Sequence, residues 1–159
     1  MSNEFMWITE DVSMNKDDLD RLIEETTKAI QQYPNNALAY NNCGVAYYYK
    51  GDNRRAIDYF NCAVLHDQNP VITHYNLGFA WFDFYPYDMV IHNFTKAISL
   101  KTRLPTKLLV SAFYRRGLAC YRMSLLAQAI ADLEEALRLD PSHIDAKQVL
   151  KNAQKDIDS

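Results

Sequence analysis

Two asparagines in matching surroundings are the strongest candidates for chemistry in this chain. Asn42 lies in the stretch YNNCG and Asn76 in the stretch HYNLG, 34 residues further on. A primary amide offers a hydrogen-bond donor and an acceptor together, so a pair of them can bracket the backbone amide groups of an extended peptide. The alternative is that asparagine is simply a tolerated polar residue on a helix.

Aromatic and arginine side chains form a second candidate set. Tyrosine and arginine are typical anchors of binding hot spots, and an arginine fork can hold a carboxylate through two hydrogen bonds. Such a set suits a peptide with apolar side chains and an acidic group or a free carboxylate. For part of the rings, packing between neighbouring helices is the alternative. The set consists of Tyr48, Tyr75, Phe79, Phe82, Tyr114 and Tyr121 with Arg115 and Arg122.

Residues that could catalyse a reaction or bind a metal form no recognisable arrangement. The four histidines have no spacing that would place two of them on one helical face with a carboxylate. HExxH, a phosphate-binding glycine loop and GxSxG are all missing from the sequence. The three cysteines, which have no CxxC spacing, are expected to be small buried apolar residues. We therefore predict a non-catalytic protein without a metal or another cofactor.

Composition and charge narrow the possible partners. The chain is 48% hydrophobic and 23% charged, with only four glycines and five prolines, as in a folded and largely helical protein. Its net charge of −3 gives no overall attraction to nucleic acid or to an anionic membrane. The start, MSNEFMWITEDV, lacks the basic region of a signal peptide. We predict one cytoplasmic domain over residues 1–159, with neither a nucleic acid nor a membrane as partner.

The elements that would position these residues recur along the chain. Gly44 and Gly78 lie at equivalent places 34 residues apart, a known period of helix–turn–helix repeats. A third copy, centred on Gly117, follows after five extra residues, which are inserted between Lys101 and Leu109. The spacing therefore predicts three helix pairs.

A second signature follows each glycine at a constant distance. It reads Ala56-x3-Phe60 in the first copy, Val90-x3-Phe94 in the second and Ala129-x3-Leu133 in the third, each followed by an alanine. Small residues at the glycine and alanine positions let two helices approach closely, while the larger residues fill the space between them. A larger side chain at Gly44, Gly78 or Gly117 is expected to push the helices of a pair apart.

Together the two signatures resemble the tetratricopeptide repeat family. The family pattern is W-x2-L-G-x2-Y, then A-x3-F, then A and P, and the chain follows it in phase across residues 36–141. His74, Arg116, Val90 and Gln68 depart from the pattern, but none of them breaks a helix. The resemblance implies an all-α fold, a right-handed α-solenoid of helix–turn–helix repeats.

This resemblance also sets the predicted boundaries. We expect a half repeat over 16–34, full repeats over 36–69, 70–104 and 105–141, and a capping helix over 142–157. Ser142 is expected to cap that last helix. Its apolar stripe is expected to comprise Ile144, Val149, Leu150, Ala153 and Ile157. Eight helices and no sheet are the predicted result.

In the family, the first helix of each pair lines a concave face that contacts ligands. By resemblance, that face takes residues from all three pairs. They are Asn41, Asn42, Val45 and either Tyr48 or Tyr49 from the first, Tyr75, Asn76, Phe79, Phe82 and Asp83 from the second, and Tyr114, Arg115, Leu118, Tyr121 and Arg122 from the third. Several peptide-binding members use a ladder of such asparagines. The carboxylate clamp of co-chaperone members is disfavoured, since only Asn76 and Arg115 match its five positions.

The implied function is that of an adaptor or scaffold, which binds an extended peptide or a partner helix. The alternative is a self-assembling structural subunit, a homo-oligomer joined through the N-terminal residues or through the aromatic turn 81–87. From the sequence, the occupant of the concave face can be another protein, a neighbouring copy or the first twelve residues of the same chain.

Overall fold

The computed structural model describes residues 4–9, 14–84, 86–100 and 103–157. These residues contain eight α-helices and no strand, which confirms the predicted all-α fold class. The helices are α1 (Lys16–Gln32), α2 (Ala37–Tyr49), α3 (Asn53–His66), α4 (Val71–Phe82), α5 (Tyr87–Ser99), α6 (Thr106–Arg122), α7 (Leu126–Leu139) and α8 (Ile144–Ile157).

The chain divides into two compact units, Met1–Phe84 with α1–α4 and Tyr85–Ser159 with α5–α8. In the first unit α2 packs on α1 and α3, and α3 packs on α4. In the second, α6 packs on α5 and α7, and α7 packs on α8. The single domain and the repeat boundaries expected from the sequence stay predictions.

Residues of the second signature form the core between paired helices. Ala56, Phe60 and Ala63 of α3 are fully buried, and so are their counterparts in α5 and α7. Phe60 lies directly against Gly44 of α2, where an added Cβ would be only 2.6 Å from its ring. The periodic small residues therefore permit the close helix packing that the sequence predicts.

The turns inside two pairs share one geometry. Gly51 follows the end of α2 with a φ of 78°, a left-handed conformation that suits glycine. Its N–H binds the carbonyl of Tyr48 at 2.9 Å, and the next N–H, of Asp52, binds that of Tyr47 at 2.9 Å. Ser124 takes the equivalent place after α6, with a φ of 59°. This hydrogen-bonding pattern satisfies the last carbonyls of each helix.

The start of the last helix differs from the expectation, and the insertion is described only in part. Pro105 directly precedes α6, while residues 101–102 are outside the described part of the chain. Ser142 does not cap α8, because its hydroxyl donates to Asp140 at 2.6 Å. The ring of His143 caps α8 instead, accepting from the N–H of Ala146 at 3.3 Å.

The prediction of the apolar stripe of α8 was only partly correct. Ala153 is buried, and Val149 and Leu150 pack against the core cluster of the second unit. Ile144 and Ile157 are 79% and 51% exposed, because they lie at the two ends of the helix. The buried stripe therefore covers only the middle of the helix.

Arg116, which departs from the family pattern, makes a largely buried ion pair within the second unit. Its Nε and Nη2 donate to the two carboxylate oxygens of Asp132 at 2.7 and 2.6 Å. Its Nη1 donates to the hydroxyl of Thr95 at 3.0 Å. The charge of Arg116 is therefore paired with an acid inside this unit.

Burial lowers the reactivity of two of the three thiols. Cys43 and Cys120 are buried, whereas Cys62 is half-buried. Desolvation raises the pKa of Cys120 to about 11 and also raises the pKa of Cys43. The thiolate is the form that reacts, and a raised pKa lowers the fraction of thiolate at a given pH.

At about pH 8, we expect iodoacetamide to modify Cys62 quickly and the other two cysteines slowly. Mass spectrometry of the alkylated chain checks this, and equal native labelling of all three would contradict it.

Candidate functional site

Residues 4–9 run without helical structure against α2 and α4. We call them the N-terminal segment. Three asparagines, Asn41 and Asn42 of α2 and Asn76 of α4, hydrogen-bond to this segment, and we call these three residues the amide cluster. Their side chains are buried, with relative exposures of 0%, 3% and 0%. Buried amides need hydrogen-bond partners, and the backbone of the segment supplies several of them.

The amide cluster contacts the main chain of the segment at every second residue. The N–H of Met6 donates to Asn42 Oδ1 at 2.9 Å, and the N–H of Ile8 donates to Asn76 Oδ1 at 2.9 Å. Asn42 Nδ2 donates to the carbonyl of Glu4 at 3.1 Å. The carbonyl of Met6 accepts from Asn41 Nδ2 at 2.8 Å and from Asn76 Nδ2 at 2.9 Å. Alternate residues of an extended chain point their polar groups to the same side, which accounts for this register.

A tyrosine hydroxyl holds the end of the segment. The N–H of Thr9 donates to the hydroxyl of Tyr49 at 2.9 Å, and that hydroxyl donates to the carbonyl of Thr9 at 3.0 Å. A hydroxyl can play both roles at once. The amide cluster and Tyr49 together make up what we call the segment site.

The three amides also fix one another. Asn41 Nδ2 donates to Asn42 Oδ1 at 3.0 Å, and Asn76 Nδ2 donates to Asn41 Oδ1 at 2.9 Å. The hydroxyl of Thr73 donates to Asn41 Oδ1 at 3.2 Å. The amides are therefore already oriented toward the backbone of an extended chain, and the network rigidifies the site.

The side chains of the segment differ in burial. Ile8 is 1% exposed, whereas the neighbouring Trp7 is 40% exposed. Phe5 and Met6 are half-buried. The segment is thus held by its backbone and by one fully buried aliphatic side chain.

Predicted site residues of the first unit lie on the same two helices. Tyr48 is half-buried, its ring is 5.7 Å from that of Tyr49, and desolvation raises its pKa to about 12. Tyr75 and Phe79 are buried with their ring centroids 5.0 Å apart, and Phe82 is half-buried. Contact with a ligand stays a prediction for these four aromatic residues.

The other predicted residues belong to the second unit. Arg115 is half-buried, and desolvation lowers its pKa to about 10. Arg122 is exposed. Tyr114 is half-buried, with its ring 4.6 Å from that of His143. Their predicted role toward an acidic ligand group stays a prediction.

The resemblance placed Asn41 and either Tyr48 or Tyr49 on the concave face, but backbone contacts were predicted only for Asn42 and Asn76. Asn41 is next to Asn42 in the sequence, but its neighbour alone fitted the 34-residue match with Asn76. Tyr48 and Tyr49 were alternatives for one position of that face, and it is the hydroxyl of Tyr49 that bonds to Thr9. Two consecutive asparagines before Gly44 were a signal that could have revealed Asn41.

The aromatic turn 81–87 is described only in part. The rings of Trp81 and Phe84 make an edge contact at 6.1 Å, and Phe84 is 48% exposed. Tyr85 is outside the described residues. The described part of the chain contains no group of three or more metal-ligating side chains. It also contains no helix that is long and apolar enough to span a membrane.

Comparisons with known proteins give the same fold. The family model for the tetratricopeptide repeat matches residues 110–143, which overlap the third copy. Among solved structures, a crystal structure of MamA superimposes with a TM-score of 0.79 at 26% identity, covering 91% of this chain and 85% of that one. No curated protein matches the chain.

Two further solved structures share the fold at lower identity. YrrB, described as a TPR protein with an unusual peptide-binding site, has a TM-score of 0.79 at 20% identity, with 89% of this chain and 71% of that chain covered. The second TPR domain of human RPAP3, solved with an HSP70 peptide, has a TM-score of 0.65 at 24% identity, with coverages of 74% and 94%. Its repeated signatures, its eight described helices and this match show that the chain has the tetratricopeptide repeat fold and carries a repeat of that family at residues 110–143.

Proposed function

We propose that this protein is a protein-interaction adaptor whose segment site binds an extended stretch of a partner protein. The observation that carries the proposal is the set of hydrogen bonds from the amide cluster and Tyr49 to the main chain of residues 4–9. The segment is itself an extended chain, which supports binding of an extended partner at the same place. That YrrB is described with a peptide-binding site, and RPAP3 with a bound peptide, supports this use of the fold.

The site contacts groups that nearly every peptide has. Its hydrogen bonds go to the N–H groups of Met6, Ile8 and Thr9 and to the carbonyls of Glu4, Met6 and Thr9. Only proline lacks the N–H. The site is therefore suited to recognise an extended backbone in one register, as sheet edges do when they bind peptides. Amides and a phenol hydroxyl bind such groups without chemical change, so the proposed role is non-catalytic.

A backbone-specific experiment tests the proposal. In full-length chain, Ile8→Asp places a carboxylate at a buried position and is expected to release the N-terminal segment. A synthetic peptide of residues 3–10, NEFMWITE, is then titrated into this variant by isothermal calorimetry. We expect N-methylation of the Ile8 nitrogen in the peptide to weaken binding by about tenfold or more, because Asn76 Oδ1 loses its donor.

The matched control is the same peptide methylated on the Trp7 nitrogen. The N–H groups of residues 6, 8 and 9 donate to the site, so the peptide methylated at Trp7 should bind about as well as the unmodified one. The double change Asn42→Ala and Asn76→Ala should abolish binding while circular dichroism shows an intact helical fold. Equal affinities for the two methylated peptides would disprove backbone recognition by this site.

Self-assembly is the second candidate function. The segment bonds to residues 35 to 70 positions away, so an identical segment from another copy could present the same groups. Sedimentation of the full chain over a wide concentration range separates the two functions. A mass that rises with concentration and falls back after Ile8→Asp would favour exchange of the segment between copies.

A further inference from the structure

The N-terminal segment also indicates which sequences the segment site selects. Its backbone is bonded at residues 4, 6, 8 and 9, and of its side chains Ile8 is almost fully buried while Trp7 is 40% exposed. Of these two neighbouring positions, only that of Ile8 restricts which side chain the site can accept. Deleting or charging such a side chain is far more unfavourable than changing an exposed one.

We infer that the partner is an extended protein segment of the same design as residues 4–9, with an aliphatic side chain at the position of Ile8 and a free N–H at the positions of Met6, Ile8 and Thr9, and that it binds only by displacing residues 4–9. The inference rests on the proposed function and adds to it the class of partner and the competition.

Displacement follows from the hydrogen bonds of the amide cluster. Both protons of Asn76 Nδ2 are used, one by the carbonyl of Met6 and one by Asn41 Oδ1, and Asn76 Oδ1 accepts from Ile8. Asn41 likewise donates to Met6 and to Asn42 while it accepts from Thr73 and Asn76. A second extended chain would find no free donor at these two amides, so the two chains cannot bind together.

The short connection to α1 makes the N-terminal segment a strong competitor. Thr9 lies only six residues before Asn15, the N-cap of α1. A segment tethered this closely acts at an effective concentration of about 1 mM. A free peptide that binds the open site at about 10 µM should therefore bind the intact chain about 100-fold more weakly.

The experiment compares three full-length chains with the NEFMWITE peptide, labelled for fluorescence anisotropy. These are the unchanged chain, the Ile8→Asp variant and the Trp7→Asp variant. Trp7→Asp introduces the same charge at the exposed neighbouring position, and so it should leave the N-terminal segment bound. We expect the unchanged chain and the Trp7→Asp chain to bind about 100-fold more weakly than the Ile8→Asp chain.

Variants of the peptide test the side-chain position on the Ile8→Asp chain. Changing Ile8 of the peptide to aspartate should weaken binding by about tenfold or more, changing it to valine by less than about tenfold, and changing Trp7 to alanine by only a few-fold. If Ile8→Asp prevents the chain from folding, Met6→Pro opens the site instead, because it removes the N–H that Asn42 accepts.

The outcomes separate this inference from the proposed function. Equal peptide affinity for all three chains, with the N-methylation effect intact, would overturn displacement and leave backbone recognition standing. Indifference to the residue at the Ile8 position would overturn the partner class. Failure of the peptide to bind any chain would overturn the inference and the proposed function together.

Discussion

Replacing Asn76 with leucine is expected to lower the free energy of unfolding by about 2 to 4 kcal/mol and to release the N-terminal segment. The change removes three hydrogen bonds of a buried side chain, those to the Ile8 N–H, the Met6 carbonyl and Asn41 Oδ1. Because buried polar groups are left without their partner, the loss exceeds that of an exposed hydrogen bond. Urea denaturation followed by circular dichroism measures it.

Amide hydrogen exchange shows whether the segment is released. In the unchanged chain, the N–H groups of Met6, Ile8 and Thr9 donate to the segment site and should exchange slowly. The Trp7 N–H serves as the reference within the same segment. In the Asn76→Leu chain, all four should exchange at similar and fast rates.

Two control variants identify the cause. Asn76→Asp keeps the shape and the acceptor for Ile8, but a carboxylate cannot donate to Met6 or to Asn41, so this variant should also be destabilised. Asn53→Ala removes a hydrogen bond to Asp83 that is exposed, and it should change stability by no more than about 0.5 kcal/mol. An Asn76→Leu chain that is as stable and as protected as the Asn53→Ala chain would show that the amide cluster does not hold the segment.

The helix pairs could be predicted because their signal repeats. Ala56, Phe60 and Ala63 recur in kind at a constant distance from a glycine, and burial of this set is the physical reason for the pattern. Helix ends lack such repetition. Whether Ser142 or His143 caps α8 depends on which side chain reaches the N–H of Ala146, and that is decided by local geometry.

The candidate site was predictable only where it follows the repeat. Asn42 and Asn76 stand out because they match across two copies, and both bond to the segment. The role of Asn41 depends on the register of a non-helical segment that has no period of its own. The burial of Ile8 likewise follows from contacts that the six described residues 4–9 make with distant helices, and no local pattern contains that information.

Gly44→Val is expected to destabilise the chain by about 3 kcal/mol, an unusually large loss for one added side chain. A Cβ at Gly44 would be 2.6 and 2.7 Å from two ring carbons of Phe60 and 3.1 Å from the carbonyl oxygen of Ala56. Phe60 is fully buried, so its ring can move away only by displacing other core atoms. The helix backbone alone would gain about 0.5 to 1 kcal/mol from replacing glycine with alanine, so a net loss identifies crowding between α2 and α3.

Graded variants separate crowding from other causes. Gly44→Ala should lose about 1 to 2 kcal/mol, whereas Gly117→Ala, whose nearest contacts are 3.0 Å to Leu133 and 3.1 Å to Asp132, should lose less. The double variant Gly44→Ala with Phe60→Leu should lose less stability than the sum of the two single losses, because the ring that crowds the new methyl group is removed. Strictly additive effects in this pair would argue against the contact as the cause.

Substitution of Gly44 also tests how the packing of α2 affects the segment site. Asn41, Asn42 and Tyr49 all lie on α2, so a shift of this helix away from Phe60 moves three of the four side chains that hold residues 4–9. A displacement of about 1 Å is enough to weaken hydrogen bonds whose distances are close to 3 Å. We therefore expect faster exchange of the Met6 and Thr9 N–H groups in Gly44→Ala, with a smaller effect at Ile8, whose acceptor Asn76 is on α4. A chain that loses stability while all three groups remain protected would show that the segment site tolerates movement of α2.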